Sequence, residues 1–284
     1  ATVRSLRREF GKVHVGFGRP LPLADYLDRE HAGWRNEPAE AAGPWLRSMT
    51  ADVARELVLR INEAAVINPV NLVALVMLAA PDGAAEESTV RRMIEHYRAL
   101  LHAAPYSSLT SFCDTAADDI LGHAIRLGVI ERVAGGEQLR VPTGSMPLLA
   151  YFRNNVLHLV ALPSLLACLL VMEPRLALER AIVAIRRLLV LAREELFMNC
   201  TPEEVPGGVE TVLKVLVSRQ LIRRQEGDLL APPGRRELAE LSMLAETMRI
   251  ALGSSLLKVA LAPDIGTDGF SVPSPTNPSA SPPG

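Results

Sequence analysis

Residues 156–172 read VLHLVALPSLLACLLVM, a stretch without a formal charge that is interrupted only by His158, Pro163 and Ser164. As a straight helix it would extend about 25 Å, which is shorter than the roughly 30 Å hydrocarbon core of a bilayer. Its length and Pro163 therefore predict a buried core helix, and a helix lying on a membrane surface is the alternative. Residues 147–172 and 174–198 both have helical patterns, and together they are predicted to form the core.

The composition of the 284-residue chain favours helices over sheets. Apolar residues make up 49% of the chain but aromatic residues only 4%, and Leu, Ala, Val and Arg are abundant. The formal net charge of −2 gives no global attraction to nucleic acid. The three cysteines lack C-x-x-C spacing, so neither a disulfide framework nor a zinc site is predicted. We therefore expect a mainly α-helical protein, and the cysteine usage fits a reducing cytoplasm.

A helix followed by a β-hairpin occurs twice in the pattern of residues. In the first copy, the helix is at residues 116–128, and strands at 129–133 and 139–141 flank a turn at 135–136. In the second copy, the helix is at residues 209–220, and strands at 221–224 and 229–231 flank a turn at 226–228. A helix with a two-stranded wing is the winged-helix arrangement, so the chain is expected to contain two winged-helix-like units.

A lone strand is predicted at residues 13–17, VHVGF, where β-branched or aromatic residues alternate with small or polar ones before a Gly-Arg-Pro turn. No partner strand follows nearby, so its sheet is expected to be built by residues upstream of Ala1. Further on, residues 23–30 predict a short helix, and residues 50–66 predict a longer one with Thr50 as its N-cap. Asn68 and Pro69 are predicted to start a helix that ends before Pro81.

Three segments follow from these patterns. Residues 1–20 are expected to be the end of an α/β domain, with one orphan strand. Residues 21–261 are expected to form a helical domain. Residues 262–284 are dominated by Pro, Ser, Gly, Thr and Asn, so they are expected to be disordered.

No catalytic or metal-binding motif is visible in the sequence. Acyl transfer to a hydroxyl commonly needs a histidine base oriented by a carboxylate, as in H-x-x-x-x-D, but none of the six histidines has an aspartate five positions later. A nucleophile elbow, a P-loop, a dinucleotide-binding glycine pattern and an H-E-x-x-H zinc pair are also missing. We therefore predict no catalytic residue and no metal ligand in this chain.

Three groups of basic residues are candidates for contact with anions. Arg153 lies beside two amides directly before the apolar stretch, and it is the candidate substrate-binding residue, although no acidic or phosphate partner is evident. Arg186 and Arg187 precede an aliphatic run, where they form either a solvated face or a surface for anionic headgroups. The first residues carry a denser cluster that is either phosphate-facing or an ordinary solvated helix end: Arg4, Arg7, Arg8 and Lys12.

A series of short motifs resembles the long bacterial glycerol-3-phosphate 1-O-acyltransferases, which are relatives of mitochondrial and peroxisomal enzymes that acylate glycerol phosphate or dihydroxyacetone phosphate. The resemblance covers roughly residues 11–197. In family order, the motifs are GKVHVGFGRP at 11–20, DYL at 25–27, INEAA at 61–65, NL at 71–72, PYSS at 105–108, YFRNN at 151–155 with His158, and PSL at 163–165. Where the family usually has an acidic residue before the proline of the F-G-x-P turn, this sequence has Arg19.

The resemblance implies a role in phospholipid synthesis. The parent protein would transfer a fatty acyl group from acyl-CoA or acyl carrier protein to the sn-1 hydroxyl of glycerol 3-phosphate, without a metal or redox cofactor. In the family the catalytic H-x-x-x-x-D and the phosphate-binding arginines precede the strand that matches residues 13–17, so the chain is expected to be inactive alone. Its implied partners are an upstream acyltransferase domain and the cytoplasmic face of the inner membrane, where the family is peripheral.

Two alternatives from other classes stay open. A pair of winged-helix units suggests nucleic-acid binding, but the two candidate helices carry too little positive charge for phosphate-driven affinity. The other alternative is a non-catalytic scaffold that covers an acyltransferase domain and docks the assembly on lipid.

Overall fold

The computed structural model describes residues 13–36, 43–252 and residue 260. In this part of the chain the structure is mainly helical, as the composition predicts. The helices are α1 (Leu23–Glu30), α2 (Gly43–Glu63), α3 (Pro69–Ala79), α4 (Glu87–Ala103), α5 (Ala117–Arg126), α6 (Met146–Asn154), α7 (Ala161–Met172), α8 (Leu178–Leu196), α9 (Val205–Ser218) and α10 (Arg235–Leu252). The basic cluster at Arg4, Arg7, Arg8 and Lys12 and the tail at 262–284 lie outside the described residues.

The strands are short and form three small sheets. They are β1 (Val66–Ile67), β2 (Ala84–Glu86), β3 (Ser111–Phe112), β4 (Glu131–Arg132), β5 (Gln138–Arg140), β6 (Arg175–Ala177), β7 (Arg223–Gln225) and β8 (Asp228–Leu230). β1 and β3 pair in parallel, whereas the other two sheets are antiparallel with the orders β2-β5-β4 and β6-β8-β7. Both predicted hairpins are therefore confirmed.

Each hairpin belongs to a larger unit than the sequence predicts. The first unit contains α3, β2, α4, α5, β4 and β5, and the second contains α7, β6, α8, α9, β7 and β8. The third strand of each sheet comes from residues directly before α4 and α8. Equivalent hydrogen bonds close the two sheets, because the amide of Val141 donates to the carbonyl of Gly83 at 2.9 Å and the amide of Ala231 donates to that of Pro174 at 2.8 Å. This order of helices and strands is the winged-helix arrangement, present twice.

The first helix of each unit is apolar on all sides and lies in the core. Nine residues of α7 are buried, including Leu165 and Leu166, and α3 is buried over most of its length. Helices of this kind occur in the interior of a protein or in a membrane. Residues 156–172 thus form a core helix, as predicted, together with a short 3-10 turn at Leu157–Val160.

The final helix joins the two units. α10 packs along α7 and also against α3. From α4 of the first unit, Arg92 donates to the buried carboxylate of Glu240 at 2.6 Å, and His96 lies 3.0 Å from the same carboxylate. Tyr97 and Thr247 share a buried hydrogen bond of 2.7 Å. These paired polar groups fix α10 against α4.

The start of α3 follows its predicted chemistry. The side chain of Asn68 accepts hydrogen bonds from the amides of Val70 and Asn71, and the side chain of Asn71 accepts one from the amide of Asn68. This reciprocal capping box satisfies backbone donors that the helix leaves open, and Pro69 needs no donor at the first helical position.

Three local predictions are wrong. Thr50 lies inside α2 and donates to the carbonyl of Leu46 at 2.7 Å, so it is not an N-cap. Residues 175–177 are β6, because they pair with β8, and the helix begins only at Leu178. The helical stretch at 147–172 is broken into α6 and α7, which are bent by 67° across the break.

The predicted strand at residues 13–17 pairs with no other strand among the described residues. It lies instead along α2, as described below. Its predicted pairing with an upstream sheet stays a prediction.

In the described residues, no single helix has the length and apolar character needed to cross a bilayer. One bent pair of helical segments, Thr143–Asn154 with Leu157–Met172, has the combined length and apolar composition of a membrane span. Nothing beyond its length and composition indicates a span.

A candidate binding cleft beside residues 13–18

A cleft of about 900 Å³ opens where residues 13–18 meet the ends of four helices. Its walls come from the carboxyl ends of α2, α6 and α8 and from the amino end of α3. The polar or charged lining residues are His14, Asn62, Asn68, Asn71, Arg153, Asn154, Asn155, His158 and Glu195. Its larger apolar lining residues include Val58, Ile61, Tyr151, Phe152, Leu157 and Phe197. The cleft therefore combines apolar surface with amide groups and one arginine.

Residues 16–18 lie directly on the backbone of α2. A Cβ atom added to Gly16 would lie 2.4 Å from the carbonyl oxygen of Ala64, and one added to Gly18 would lie 2.7 Å from that of Arg60. Only glycine permits this close approach without a shift of the backbone. The glycines of the VHVGFG sequence thus allow residues 13–18 to form one wall of the cleft.

Two arginines hold the same segment in place. Arg19 forms an ion pair of 2.7 Å with Glu63, whose side chain is buried at the end of α2. The guanidinium of Arg60 also donates to the carbonyl of Pro20. Arg19, the residue before the proline of the F-G-x-P turn, therefore contacts a carboxylate.

Hydrogen bonds of Asn62 hold the end of α8 in place, and His158 in turn contacts the backbone of Asn62. The Asn62 side-chain amide donates to the carbonyls of Leu196 and Phe197 at 2.9 and 3.0 Å, which satisfies the open end of that helix. The backbone of Phe197 adopts the left-handed conformation, with φ of 49°. Nε2 of His158 lies 3.1 Å from the carbonyl of Asn62, so this nitrogen carries the proton and donates.

Burial keeps His158 neutral. Desolvation lowers its pKa to about 4, although the hydrogen bond to the Asn62 carbonyl opposes this shift. The ring packs edge-on against Tyr106 at 5.0 Å, and the Tyr106 hydroxyl accepts from the backbone amide of Asn199 at 2.6 Å. His158 is therefore a structural donor that links α2 to the turn before α7.

Arg153, the substrate-binding candidate predicted from the sequence, lies in the cleft at the end of α6. It is half-buried, and its guanidinium donates to the side-chain oxygen of Asn154 at 3.0 and 3.2 Å. In the part of the chain that the structure describes, it forms no ion pair. Burial lowers the pKa of the Arg153 guanidinium, but an arginine starts from so high a pKa that it stays charged.

The neighbouring helix fixes the backbone before Arg153. The side-chain amide of Asn71 in α3 donates to the carbonyl of Phe152 at 2.7 Å. Sequence reasoning found Arg153 from its charge beside an apolar helix, but it did not predict that Asn71, Asn62 and His14 would surround the same cleft. These residues are far apart in the chain and share only their membership of the motif series.

The outer side of residues 13–17 is apolar and exposed. Val13, Val15 and Phe17 are 86%, 68% and 87% exposed. Val15 and Phe17 are absent from the cleft lining, whereas His14, Gly16 and Gly18 line it. The segment thus separates an apolar outer edge from the cleft behind it.

No group of three or more His, Cys, Asp or Glu side chains within the described ranges is placed to hold a metal ion. The residues of the cleft are suited instead to binding an anion or an apolar group. Two winged-helix units, a joining helix and this cleft together define a helical binding or support region.

The comparison with known proteins identifies the family. A family model described as the glycerol-3-phosphate acyltransferase C-terminal region matches residues 1–261. A glycerol-3-phosphate acyltransferase of Pseudomonas entomophila is 33% identical over 268 residues, covering 90% of this chain and 32% of the relative. A glycerol-3-phosphate acyltransferase of Pseudomonas putida strain GB-1 is 32% identical over 272 residues, covering 94% of this chain and 33% of the relative. This chain belongs to the glycerol-3-phosphate acyltransferase C-terminal region family, as the motif series predicts, and it spans about a third of the length of the curated relatives it matches.

Proposed function

We propose that this chain is the C-terminal support region of a glycerol-3-phosphate 1-O-acyltransferase in phospholipid synthesis. The whole enzyme would transfer a fatty acyl group from acyl-CoA or acyl carrier protein to the sn-1 hydroxyl of glycerol 3-phosphate, without a metal or redox cofactor. Family membership and the names of the Pseudomonas relatives support this function. The catalytic groups would lie in the part of those relatives that this chain does not match.

The exposed edge at residues 13–17 carries this proposal. Val13, Val15 and Phe17 are large apolar side chains that are mostly exposed, although Val13 also borders the cleft, and Gly16 and Gly18 of the same segment rest on α2. Such a segment has the character of a strand that completes a sheet of another domain, since main-chain pairing and alternate side chains both contribute to strand addition. The upstream acyltransferase domain is the proposed partner.

Two histidines line the cleft, His14 and His158, and neither forms an ion pair with a carboxylate among the described residues. His158 already donates to a backbone carbonyl, and its low pKa reflects burial rather than a neighbouring carboxylate. Another histidine, His96, lies 3.0 Å from the carboxylate of Glu240, away from the cleft, where α4 meets α10. The support role therefore lies in positioning and covering the catalytic domain.

The nucleic-acid alternative gains little from the winged-helix topology, because a fold alone does not determine function. α9, the helix that would read DNA in the second unit, packs against α4 of the first unit as well as α7 and α8. In the first unit, Asp118 at the start of α5 pairs with Arg91 at 2.5 Å. Neither helix offers a cationic face of the kind that phosphate contacts need.

Peripheral attachment at the cytoplasmic face of the inner membrane is a further part of the proposal. The apolar α7 is buried, so the outward face of α8 is the better candidate for lipid contact. Val183, Val190 and Leu191 are exposed there beside Arg186 and Arg187. Mixed aliphatic and cationic residues on one helix face suit an anionic interface. Flotation with anionic vesicles is expected to decrease in Val190→Asp, and unchanged flotation would contradict this face.

A fusion tests the support role directly. The upstream part of the Pseudomonas entomophila enzyme, joined to this chain in place of its own matching region, is expected to form lysophosphatidate from glycerol 3-phosphate and an acyl thioester. Phe17→Asp should reduce this activity at least about tenfold, because a carboxylate cannot enter an apolar sheet interface. The matched control is Ile250→Asp, at an exposed position 45% accessible in α10. Equal activity of the two variants would argue against the proposed edge.

A further inference from the structure

Arg153 differs from many arginines in the molecule, because its charge is not matched by a carboxylate. Arg19, Arg55 and Arg92 form ion pairs of 2.7, 2.8 and 2.6 Å with Glu63, Glu194 and Glu240. Among the described residues the guanidinium of Arg153 donates hydrogen bonds only to the neutral Asn154 side chain, although Arg153 is half-buried. A partly desolvated guanidinium without an anion leaves strong donors available, and a phosphate is a ligand that matches their planar geometry.

The groups around Arg153 are suited to an anionic head. Asn154 and Asn155 are exposed amides at the same helix end, and His14 also lines the cleft. The cleft also has one carboxylate, Glu195 of α8, which is exposed and forms no ion pair in the described part of the chain. The amide donors and the arginine cation can bind a phosphate, whereas the negative charge of Glu195 repels it.

The remaining lining is suited to an apolar chain. Ile61 of α2 is 66% exposed and Tyr151 of α6 is 62% exposed, and both line the cleft. Val58 and Phe152 extend this surface. The volume of about 900 Å³ is within the range of ligand pockets for small molecules. An anionic group at Arg153 could therefore be followed by an apolar tail along Ile61 and Tyr151.

We propose that this cleft binds a phosphate monoester that carries a single acyl chain, with the phosphate on Arg153 and the chain against Ile61 and Tyr151. Lysophosphatidate, the product class of the proposed reaction, has this chemistry, and in this choice of ligand the inference rests on the proposed function. The cleft lies directly behind the edge formed by residues 13–17, so a bound product would be held beside the docked catalytic domain.

Binding to the purified chain tests the inference without any enzymatic activity. The probe is a short-chain 1-acyl-glycerol 3-phosphate below its critical micelle concentration, measured by titration calorimetry. The comparison ligands are glycerol 3-phosphate, the matching 1-acyl-glycerol without phosphate, and the free fatty acid of equal chain length. We expect the phosphorylated amphiphile to bind most tightly, because it alone satisfies both the arginine and the apolar wall.

Matched variants identify the site. Arg153→Gln should weaken binding of the phosphorylated amphiphile at least about tenfold and leave the phosphate-free amphiphile unchanged, since a charge-assisted bidentate contact is lost. Arg219→Gln, at an exposed arginine that directly follows α9 and also has no ion pair among the described residues, should have no effect. Glu195→Gln should strengthen binding. Because the side-chain hydrogen bonds of Arg153 within the described residues go only to its neighbour Asn154, the melting temperature of Arg153→Gln should match that of the parent chain.

Three results would overturn the inference. They are undiminished binding in Arg153→Gln, equal binding of glycerol 3-phosphate and its acylated form, and equal binding of the phosphate-free amphiphile or the fatty acid. None of them depends on the fusion experiment. An active fusion with no ligand binding would remove this inference alone, while ligand binding with an inactive fusion would remove the support role alone.

Discussion

The first and second winged-helix units place corresponding side chains in their cores. Ile120 and Leu121 of α5 are buried, as are Val212 and Leu213 of α9. The segments that follow the two helices also correspond, because Val129 donates to the carbonyl of Ala124 and Leu221 donates to that of Leu216. The interior packing is therefore repeated along the chain.

The ends of the units differ, and the cleft lies where they differ. In the first unit α3 begins with the Asn68 capping box, and the short α6, which follows this unit, ends at Asn154 beside Arg153. In the second unit α7 follows a 3-10 turn that carries His158, and the 18-residue α10 continues across both units. The comparison teaches that a repeated core supports the fold, while the unmatched helix ends supply the candidate site.

The largest expected effect comes from truncating the repeated core. Leu72 of α3 and Leu166 of α7 are almost completely buried. Replacing either with alanine should lower the free energy of unfolding by about 3 kcal/mol, because each leaves a cavity between packed helices. Urea unfolding should show one transition for both variants, since α10 contacts both units. Two separate transitions would contradict the view that α10 joins the units into one cooperative structure.

An effect of similar size, but confined to acidic pH, is expected from the histidine that distinguishes the second unit. His158 takes up a proton near pH 6.5 when unfolded but only near pH 4 when folded. The folded state therefore loses stability as the pH falls from about 6.5 to about 4, by on the order of 3 kcal/mol in total if no other group responds. Urea unfolding at several pH values measures this loss.

His158→Gln provides the comparison, because glutamine can still donate to the carbonyl of Asn62 but does not titrate. The variant should be less stable than the parent at neutral pH, and it should lack this part of the pH dependence. An identical pH dependence in both proteins would show that another group is responsible.

The third prediction concerns the wall of the cleft. Gly16→Ala should displace residues 13–18 from α2, because the added Cβ would lie 2.4 Å from the carbonyl oxygen of Ala64. Amide hydrogen exchange in this segment should become faster. Gly33→Ala is the control, since no heavy atom lies within 4 Å of its added Cβ. Unchanged exchange in Gly16→Ala would contradict the close contact.

The smallest effect should come from one position that the two units share. Gly128 and Gln220 follow α5 and α9 in left-handed conformations, with φ of 68° and 62°. Glycine adopts this conformation without strain, whereas glutamine does not. Gln220→Gly should therefore raise the free energy of unfolding by about 1 kcal/mol, and Gly128→Gln should lower it by a similar amount. Thermal or urea unfolding that shifts both variants in the same direction would disagree with this interpretation.

Strong local signals made much of the fold predictable from the sequence. Asn68, Pro69 and Pro81 determined the limits of α3, and the glycine-containing turns identified both hairpins. β2 and β6 were missed because strands of only three residues have no clear alternation and adjoin helices directly. The break between α6 and α7 follows the polar residues Arg153, Asn154 and Asn155, and it was missed because residues 147–172 were read as one helical stretch.

The candidate site was predictable only in part. Arg153 was found from its charge beside an apolar helix. Its surroundings depend on how α2, α3, α6 and α8 meet, and no local pattern encodes these tertiary contacts. Arg19 was noted for its departure from the family pattern, but its ion pair with Glu63 required the structure.

One assay tests the central claim that this chain supports acyl transfer without performing it. The purified chain is incubated with labelled glycerol 3-phosphate and either acyl-CoA or acyl carrier protein loaded with a fatty acid, and lysophosphatidate is measured. We predict no lysophosphatidate above the buffer control. Robust turnover by the chain alone would contradict the account, because it would place catalytic groups within these 284 residues.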